Sequence, residues 1–527
     1  MSGAGDIMER DRTEDALGSA PEAAGWSRLF DKPGMIWRSE VATRLAVVVD
    51  GEDYFAALRT AFGSAERQIM LIGWDFDFLL EMLPGQSDEN GLAPDGRPNA
   101  LGPYLEALCD EKPDLDIYLL KWNGAVLVAP GSVIPSIALA HFGKDQVHFS
   151  LDSHHPTGAC HHQKIVVIDD ELAFCGGIDA TVGRWDTSEH LADDPRRRTA
   201  SGRQQIPWHD VACAVTGDAA RALGDLARAR WHRATGDMLD APGTGHAPEW
   251  PGHLDTLLTD IPVGIARTEP PFDGSELVNE IEEVTLAAIR QARSIIYIES
   301  QYLTAQTVLS AIEARLDEPD GPEVIVVNPL QAEHFIEHSA MHALRSRWLD
   351  EARERFPRRL RCVFPVNAAE QPIYVHSKVL LVDDHLVKIG SSNINDRSMG
   401  FDTECDLCFE ATDAARRSVI AGLMFRLLGE HLGRDPSLVE RAFRVHGSVI
   451  EAMDDLNRIS GRRVVDVPVE AETMLDIMLA RYRVFDPRFQ VGEPTRTGQG
   501  IRPRHLVAAV AVGAFATFLW RRSRRRA

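Results

Sequence analysis

Hydrophobic and polar residues follow the same succession of patterns twice along the chain. Each half begins with a helix-like segment and an apolar strand-like run, continues with two more strand-like runs, and closes with a strand and a helix. The corresponding strand-like runs are residues 67–78, 115–123 and 146–150 in the first half and residues 293–303, 323–328 and 360–364 in the second. Strands that alternate with helices predict α/β layers, and the internal repeat predicts two such halves packed side by side.

The same patterns divide the chain into six segments. A Pro- and Gly-rich run, typical of a loop, separates the two halves. The predicted segments are an acidic disordered leader (1–34), an N-terminal half (35–235), a linker (236–263), a C-terminal half (264–437), a helical extension with a polar linker (438–504) and a candidate membrane anchor with a basic tail (505–527).

Composition and charge narrow the function classes. Of the 527 residues, 44% are hydrophobic and 26% are charged, which is typical of a globular protein. The net charge of −23 argues against a nucleic-acid partner, because phosphate backbones require a basic surface. Seven cysteines, an odd number at irregular spacing, predict no disulfide framework.

The C-terminal end has a different composition. Residues 506–520 form an uncharged apolar run, and five arginines follow it. Fifteen helical residues rise only about 22 Å, less than the roughly 30 Å hydrocarbon core of a bilayer. Arginines at such an end favour the cytoplasmic side or anionic headgroups. We therefore predict membrane association through this segment, at the cytoplasmic face of an inner membrane, and leave open whether it spans the bilayer.

Each half carries one copy of a histidine–lysine–aspartate motif. The first copy is His162, Lys164 and Asp169, followed by Gly176-Gly177, and the residues between lysine and aspartate are IVVI. The second copy is His376, Lys378 and Asp383, followed by Gly390-Ser391 and Asn393, with VLLV in the corresponding place. Such apolar runs are typical of buried strands, on which alternate residues share a side. Two copies at the same place in a repeated unit predict one function for both.

These residue types fit attack on a phosphodiester. Imidazole serves as a nucleophile or as a general acid near neutral pH, and the two roles require opposite protonation states. Two lysines and an asparagine amide neutralise phosphate oxygens without a metal. Asp210 and Glu404 open the strand after each motif and are the candidates that orient the histidines, whereas neighbouring His209 is interpreted as structural. A zinc-type cluster does not explain the motif histidines, and a G-x-S-x-G nucleophile motif is absent from the sequence.

At this point the sequence resembles a known family. The segments HHQKIVVIDDELAFCGG and YVHSKVLLVDDHLVKIGSSNINDRSM resemble the two HKD motifs of the phospholipase D superfamily. The resemblance covers residues 35–433, and the segments GGIDATVGRWDT, PWHDV and IESQYL are similar to the branch of eukaryotic phospholipases D and their bacterial relatives. It implies a duplicated α/β/α sandwich with two pseudo-twofold related halves and one shared active site. It also implies a covalent phosphohistidine intermediate, no cofactor and no metal.

The resemblance assigns the histidines and their orienting groups. His162 would be the nucleophile and His376 the general acid. Asp210 and Glu404 would orient the two imidazoles. These assignments rest on the resemblance alone, because the two motifs are chemically nearly symmetric.

The remaining motif residues receive phosphate-binding or structural roles. Lys164, Lys378 and Asn393 would bind the substrate phosphate. Asp169 and Asp383 belong to the catalytic motifs and are expected to hold their structure rather than to touch substrate.

The two motifs are not identical after the strand. The first has Gly177 where the second has Ser391, and Asp179 where the second has Asn393. The first half therefore lacks the neutral amide that the second half would offer to a phosphate.

The resemblance predicts an enzyme that cleaves the headgroup phosphodiester of phosphatidylcholine or phosphatidylethanolamine to phosphatidic acid. The expected partners are the phospholipid, a water or alcohol acceptor and, through the basic tail, a membrane surface. The first alternative is a cardiolipin-synthase-like phosphatidyltransferase, since the same site runs transfer to an alcohol. A nuclease of the superfamily and a non-catalytic membrane scaffold are weaker alternatives, the former because the chain is acidic.

Overall fold

The structure, a computed structural model, describes residues 26–124, 144–199, 202–243, 247–331, 335–469 and 486–488. Most of the predicted acidic leader and all of the predicted anchor at 505–527 lie outside these residues. Among the helices in the described part of the chain, none is both long and apolar enough to cross a bilayer.

The elements follow the α/β alternation predicted above. The strands are β1 (Arg38–Val49), β2 (Gln68–Gly73), β3 (Asp116–Trp122), β4 (Val147–Asp152), β5 (Ile165–Ile168), β6 (Leu172–Gly176), β7 (Trp208–His209), β8 (Val211–Gly217), β9 (Leu258–Glu269), β10 (Val278–Asn279), β11 (Ile295–Glu299), β12 (Glu323–Val327), β13 (Leu360–Val366), β14 (Tyr374–Val375), β15 (Val379–Val382), β16 (Leu386–Gly390), β17 (Glu404–Glu410) and β18 (Arg463–Asp466). The helices are α1 (Asp50–Ser64), α2 (Leu101–Glu111), α3 (Asp218–Thr235), α4 (Glu280–Gln291), α5 (Gln306–Leu316), α6 (Phe335–Arg355), α7 (Asp396–Gly400), α8 (Ala414–Leu432), α9 (Pro436–His446) and α10 (Val449–Leu456).

One large sheet runs through both halves, and its strand order is duplicated. From the centre outward, the first half has the order β1-β8-β6-β5-β2-β3-β4, and the second half has β9-β17-β16-β15-β11-β12-β13. Strands β1 and β9 pair antiparallel and join the halves. Each of these seven strands of one half has a counterpart at the same place in the other, which confirms the predicted duplicated α/β fold. The predicted linker ends within β9, and the predicted helical extension includes β18, which adds to the edge of the sheet beside β13.

Helices cover both faces of the sheet. One apolar core spans both halves and lies between one face of the sheet and helices α3, α8, α9 and α10. The opposite face of the sheet is covered by α1 and α2 in the first half and by α4, α5 and α6 in the second. Alternate residues of a strand enter opposite cores, as Val167 and Val166 do in β5. Burial on both faces explains why the motif strands are uninterrupted apolar runs.

A separate pair of short strands crosses between the halves. Strand β7 of the first half pairs in parallel with β14 of the second, so that Trp208 lies opposite Tyr374 and His209 opposite Val375. The rings of Trp208 and Tyr374 stack at 4.6 Å between centroids. This pair brings the residues before Asp210 against the residues before His376, and so positions the site.

Candidate active site

The first motif histidine is held by two consecutive residues of the other half. The backbone N–H of His162 donates to the carbonyl of Thr403 at 2.9 Å, and Nδ1 lies 3.0 Å from Oε2 of Glu404. Nδ1 also lies 3.0 Å from the carbonyl oxygen of Ser391. A carbonyl oxygen only accepts hydrogen bonds, so Nδ1 carries the proton and the lone pair of neutral His162 is on Nε2.

The second motif histidine is held in the corresponding way. The backbone N–H of His376 donates to the carbonyl of His209 at 2.8 Å, and Nδ1 lies 2.7 Å from Oδ2 of Asp210. The other carboxylate oxygen of Asp210 accepts the backbone N–H of Val211 at 2.9 Å, which fixes the carboxylate. The structure thus brings both predicted histidines and both predicted carboxylates together, and each carboxylate contacts the histidine of the opposite half.

Burial and neighbouring cations favour neutral imidazoles. Burial, followed by the charges of Lys164 and Lys378, lowers the pKa of His162 well below its usual value. Burial, followed by the charges of Lys378 and Arg184, lowers the pKa of His376 in the same direction. The side chain of His162 keeps 16% exposure and that of His376 keeps 7%.

The two orienting carboxyl groups are also shifted by their surroundings. Burial raises the pKa of Glu404 to about 8, although the hydroxyl groups of Ser391 and Ser398 donate to it at 2.5 and 2.6 Å. Burial likewise raises the pKa of Asp210, which the charge of Lys378 opposes. Each carboxyl group thus lies on the Nδ1 side of its histidine, in surroundings that disfavour the negative charge of the carboxylate.

The two lysines differ in their partners. Nζ of Lys164 lies 3.0 Å from the carbonyl of His162 and 3.1 Å from Oδ2 of Asp179. Nζ of Lys378 donates to the carbonyl of His376, and burial lowers the pKa of Lys378 to about 7. Within the described residues, no carboxylate lies within ion-pair distance of Lys378. The positive charge on the second side of the site is therefore left for a ligand.

Asn393 lies at the second motif, where its side chain is 3% exposed. Its backbone N–H donates to the hydroxyl of Ser398, and its buried side-chain oxygen has no hydrogen-bond partner among the residues that the structure describes. In the first half, Asp179 takes the corresponding place and accepts the backbone N–H of Trp74 at 3.1 Å. The sequence difference between the two motifs therefore places the Lys164–Asp179 ion pair on the first side of the site and the amide of Asn393 on the second.

The motif aspartates contact backbone rather than the histidines. The carboxylate of Asp169 accepts the backbone N–H groups of residues 66, 67 and 68 at 2.7–2.9 Å. The carboxylate of Asp383 accepts those of residues 293, 294 and 295 at 2.8–2.9 Å. Both carboxylates fix the start of the strand beside their own motif strand, which is a structural contact.

Small residues after each motif make room for the crossed contacts. A Cβ added to Gly177 would lie 2.1 Å from Oδ1 of Asp210. In the other half, Ser391 fills the corresponding place, and its hydroxyl donates to Glu404. The Gly-Gly and Gly-Ser difference in the sequence thus reflects two ways of holding a carboxylate.

Arg184 is a site residue that the motif spacing did not indicate. Its guanidinium lies 4.1 Å from the ring centroid of Trp208, and its charge lowers the pKa of His376 and of Lys378. The only sequence signal was its position in the segment GGIDATVGRWDT, which is similar to one branch of the family.

Comparison with protein families identifies the chain. A family model described as "Phospholipase D" matches residues 137–243, and one described as "Cardiolipin synthase, PLD-like domain" matches residues 285–418. Each match contains one motif. The chain belongs to the phospholipase D superfamily. The two copies of the histidine–lysine–aspartate motif lie on the two sides of the site described above.

Curated relatives within the phospholipase D superfamily are distant. Phospholipase D A of Dictyostelium discoideum is 23% identical over 490 residues, covering 76% of this chain and 36% of the relative. Phospholipase D1 of Saccharomyces cerevisiae is 26% identical over 53% of this chain and 22% of its own length. Phospholipase D alpha 1 of Nicotiana tabacum is 25% identical over 57% of this chain and 52% of its own length. The chain thus spans between about a fifth and a half of the length of these relatives.

A solved structure shares the fold. Phosphatidylserine synthase of Haemophilus influenzae Rd KW20 superposes with a TM-score of 0.50 at 12% identity, over 85% of this chain and 95% of that one. At this identity the likeness concerns the fold, and it agrees with the duplicated α/β sheet.

Proposed function

We propose that the chain is a phospholipase D-type phosphodiesterase that cleaves the headgroup phosphodiester of phosphatidylcholine or phosphatidylethanolamine and releases phosphatidic acid. The observation that carries the proposal is the pair of buried imidazoles, each with its Nδ1 within 3.0 Å of a carboxyl group of the opposite half. Such an arrangement supplies two Nε2 atoms whose tautomer is fixed, beside two lysines.

In the proposed reaction, His162 is the nucleophile. Its Nε2 lone pair forms a bond to phosphorus, and the bond from phosphorus to the headgroup oxygen breaks. Nε2–H of protonated His376 gives its proton to that oxygen. Water or an alcohol, deprotonated by His376, then attacks phosphorus, and the phosphorus–nitrogen bond breaks. An alcohol acceptor gives transphosphatidylation instead of hydrolysis.

Protonation of His376 is coupled to substrate binding in this mechanism. The free site disfavours an imidazolium because burial and the charges of Lys378 and Arg184 lower the pKa of His376. A bound phosphodiester adds a negative charge beside these cations, which raises the pKa of His376. Lys164, Lys378 and Asn393 are the proposed phosphate-binding groups, and among the described residues no carboxylate lies within ion-pair distance of Lys378.

An aromatic pair supports a cationic headgroup. The rings of Trp74 and Trp122 stack at 5.8 Å between centroids, and both side chains are only partly buried. The backbone N–H of Trp74 donates to Asp179, which pairs with Lys164, so the pair adjoins the phosphate-binding side. Aromatic faces attract quaternary ammonium and ammonium groups, which favours choline or ethanolamine over neutral headgroups.

The proposal is tested by incubating the purified protein with mixed phospholipids and a primary alcohol, followed by mass spectrometry of the lipids. We expect phosphatidic acid and a phosphatidyl-alcohol, both lost in His162→Ala and in His376→Ala. His148→Ala is the matched control, because His148 lies at the surface of β4 with a 38% exposed side chain. Full activity of His162→Ala would refute the assignment.

A cardiolipin-synthase-like phosphatidyltransferase is the second candidate. The match of residues 285–418 to a family model described as "Cardiolipin synthase, PLD-like domain" favours it. The same lipid analysis separates the two, since cardiolipin formed from phosphatidylglycerol would identify the transferase. Lipid binding without any product, unchanged by both histidine substitutions, would indicate a scaffold.

The proposal includes association with a membrane surface, because its substrate is a membrane lipid. Residues 505–527, predicted to provide the anchor, lie outside the described residues. Co-sedimentation of the full chain and of a chain ending at residue 504 with anionic vesicles tests their contribution. Equal binding of both would refute the anchor.

A further inference from the structure

Buried acidic and histidine side chains from both halves meet behind β7, outside the residues used in the mechanism. They are Asp50, His190, His209, Glu299, Glu430 and His431. Four of them each offer one nitrogen or oxygen atom, and these four atoms lie within 4.8 Å of one another. The four residues are Asp50, His190, His209 and Glu430. We call these four residues the quartet.

Three of the four distances within the quartet lie near those of a coordination shell. Nδ1 of His209 lies 3.2 Å from Oδ1 of Asp50, and Nε2 of His190 lies 3.3 Å from Oε1 of Glu430 and 3.7 Å from Oδ2 of Asp50. Ligands at 2.0–2.1 Å from a tetrahedral zinc ion lie about 3.3 Å apart. The fourth distance, 2.7 Å from Nδ1 of His209 to Oε1 of Glu430, is that of a hydrogen bond, so these two atoms would move apart to ligate an ion.

The outer nitrogen of each quartet histidine faces a further carboxylate. Nδ1 of His190 lies 3.0 Å from Asp186, whose other oxygen accepts a hydrogen bond from Arg197 at 2.6 Å. Nε2 of His209 lies 2.9 Å from Glu299. Metal-ligating histidines almost always donate their outer N–H in this way, which fixes the tautomer and turns the other nitrogen's lone pair toward the metal.

Without a metal, the same atoms form a buried hydrogen-bonded cluster. In that arrangement the inner nitrogens of His190 and His209 both donate to Glu430. A cation at the centre contacts all four groups at once and offsets both carboxylate charges.

We propose that the quartet binds a divalent metal ion, with zinc as the first candidate. Two imidazole nitrogens in a four-membered set favour zinc or manganese over calcium or magnesium, which prefer oxygen ligands. The quartet takes Asp50, His190 and His209 from the first half and Glu430 from α8 of the second, so the ion ties the halves together.

The quartet also adjoins the second motif. The backbone N–H of Asp50 donates to the carbonyl of Asp210 at 2.8 Å, and Oδ1 of Asp50 accepts the N–H of Asp210 at 3.3 Å. The carbonyl of His209 accepts the N–H of His376. The ion is thus a positioning element for the Asp210–His376 pair, and it takes no part in bond making.

The test measures metal content of the full chain by inductively coupled plasma mass spectrometry after equilibrium dialysis against zinc, manganese, calcium or magnesium separately. We expect one equivalent of zinc in the wild type and a Tm that falls on chelation and recovers when zinc is added back. Glu430→Gln and His190→Gln should lose the ion. Asp170→Asn, which changes a buried carboxylate paired with Arg228 elsewhere, should keep it.

Other outcomes overturn the inference. If the wild-type protein retains no divalent ion after dialysis, and if its Tm is unchanged by zinc and by chelator, the quartet is a hydrogen-bonded cluster only. Folded Glu430→Gln with undiminished metal content would place the ion elsewhere. The metal content and the Tm of the wild-type protein test the inference without any variant. The inference can therefore be refuted even if a quartet variant does not fold.

Discussion

The crossed contacts of Glu404 and Asp210 make a prediction that separates the roles of the two histidines. Glu404→Gln and Asp210→Asn both replace a carboxyl group by an amide of nearly the same size. The two imidazoles are not equally dependent on it. Nδ1 of His162 keeps the Ser391 carbonyl as a second acceptor at 3.0 Å, whereas Nδ1 of His376 has only Asp210 among the described residues.

The expected losses follow from this difference. Loss of one hydrogen bond of about 0.5–1.5 kcal/mol predicts a roughly 2–10-fold lower rate for Glu404→Gln, because the tautomer of His162 is preserved. In Asp210→Asn the amide is free to stabilise the wrong tautomer of His376. Such a change costs on the order of 10⁴-fold in a comparable histidine–carboxylate pair.

The assay uses a phosphatidyl ester of p-nitrophenol, a leaving group that needs no protonation. Asp210→Asn should then show a rapid burst of p-nitrophenolate followed by slow turnover, because His376 is needed only to activate water. Glu404→Gln should show a slow burst, because His162 attacks in the first step. Asp170→Asn, the buried carboxylate paired with Arg228, is the control and should behave as wild type.

The reasoning is refuted if the two variants show the reverse pattern, which would exchange the roles of the histidines. Equal slowing of the burst in both variants would show that the Ser391 carbonyl does not preserve the tautomer of His162.

Three further predictions concern charge and packing. Burial lowers the pKa of Lys378 to about 7, so the lysine is charged below that pH and neutral above it. The affinity for sulfate, measured by calorimetry, should therefore fall toward tenfold per pH unit above pH 7. In Lys378→Arg the sulfate affinity should not change over the same pH range. The two carboxylate oxygens of Asp169 accept three backbone N–H groups, and Asp169→Asn replaces one of these oxygens by an NH2 group that cannot accept them. The free energy of unfolding, measured by urea denaturation, should therefore fall by about 2 kcal/mol. An unchanged midpoint would contradict this. Gly177→Ala should reduce phosphodiesterase activity about 100-fold by displacing Asp210, and activity equal to wild type would show that the carboxylate moves freely.

The strand pattern and the duplication were predictable because they are local properties of the sequence. The runs at 115–123 and 360–364 became β3 and β13, and IVVI and VLLV became β5 and β15. An apolar run that is buried on both faces produces the same signal wherever it lies in the sheet. The boundaries were less predictable at β9 and β18, because these strands are defined by pairing with β1 and β13, which are distant in sequence.

The sequence by itself determined which residues are candidates for the site: two histidines, two lysines, an asparagine and two carboxylates at matching positions of a repeat. Only the tertiary structure decided that Glu404 contacts His162 and that Asp210 contacts His376, because this pairing depends on how the halves meet along β1 and β9 and along β7 and β14. The quartet left no signal in the sequence at all. Its residues come from separate elements of both halves and converge only when the chain folds, because a ligand set is defined by distances in space and not by spacing along the chain.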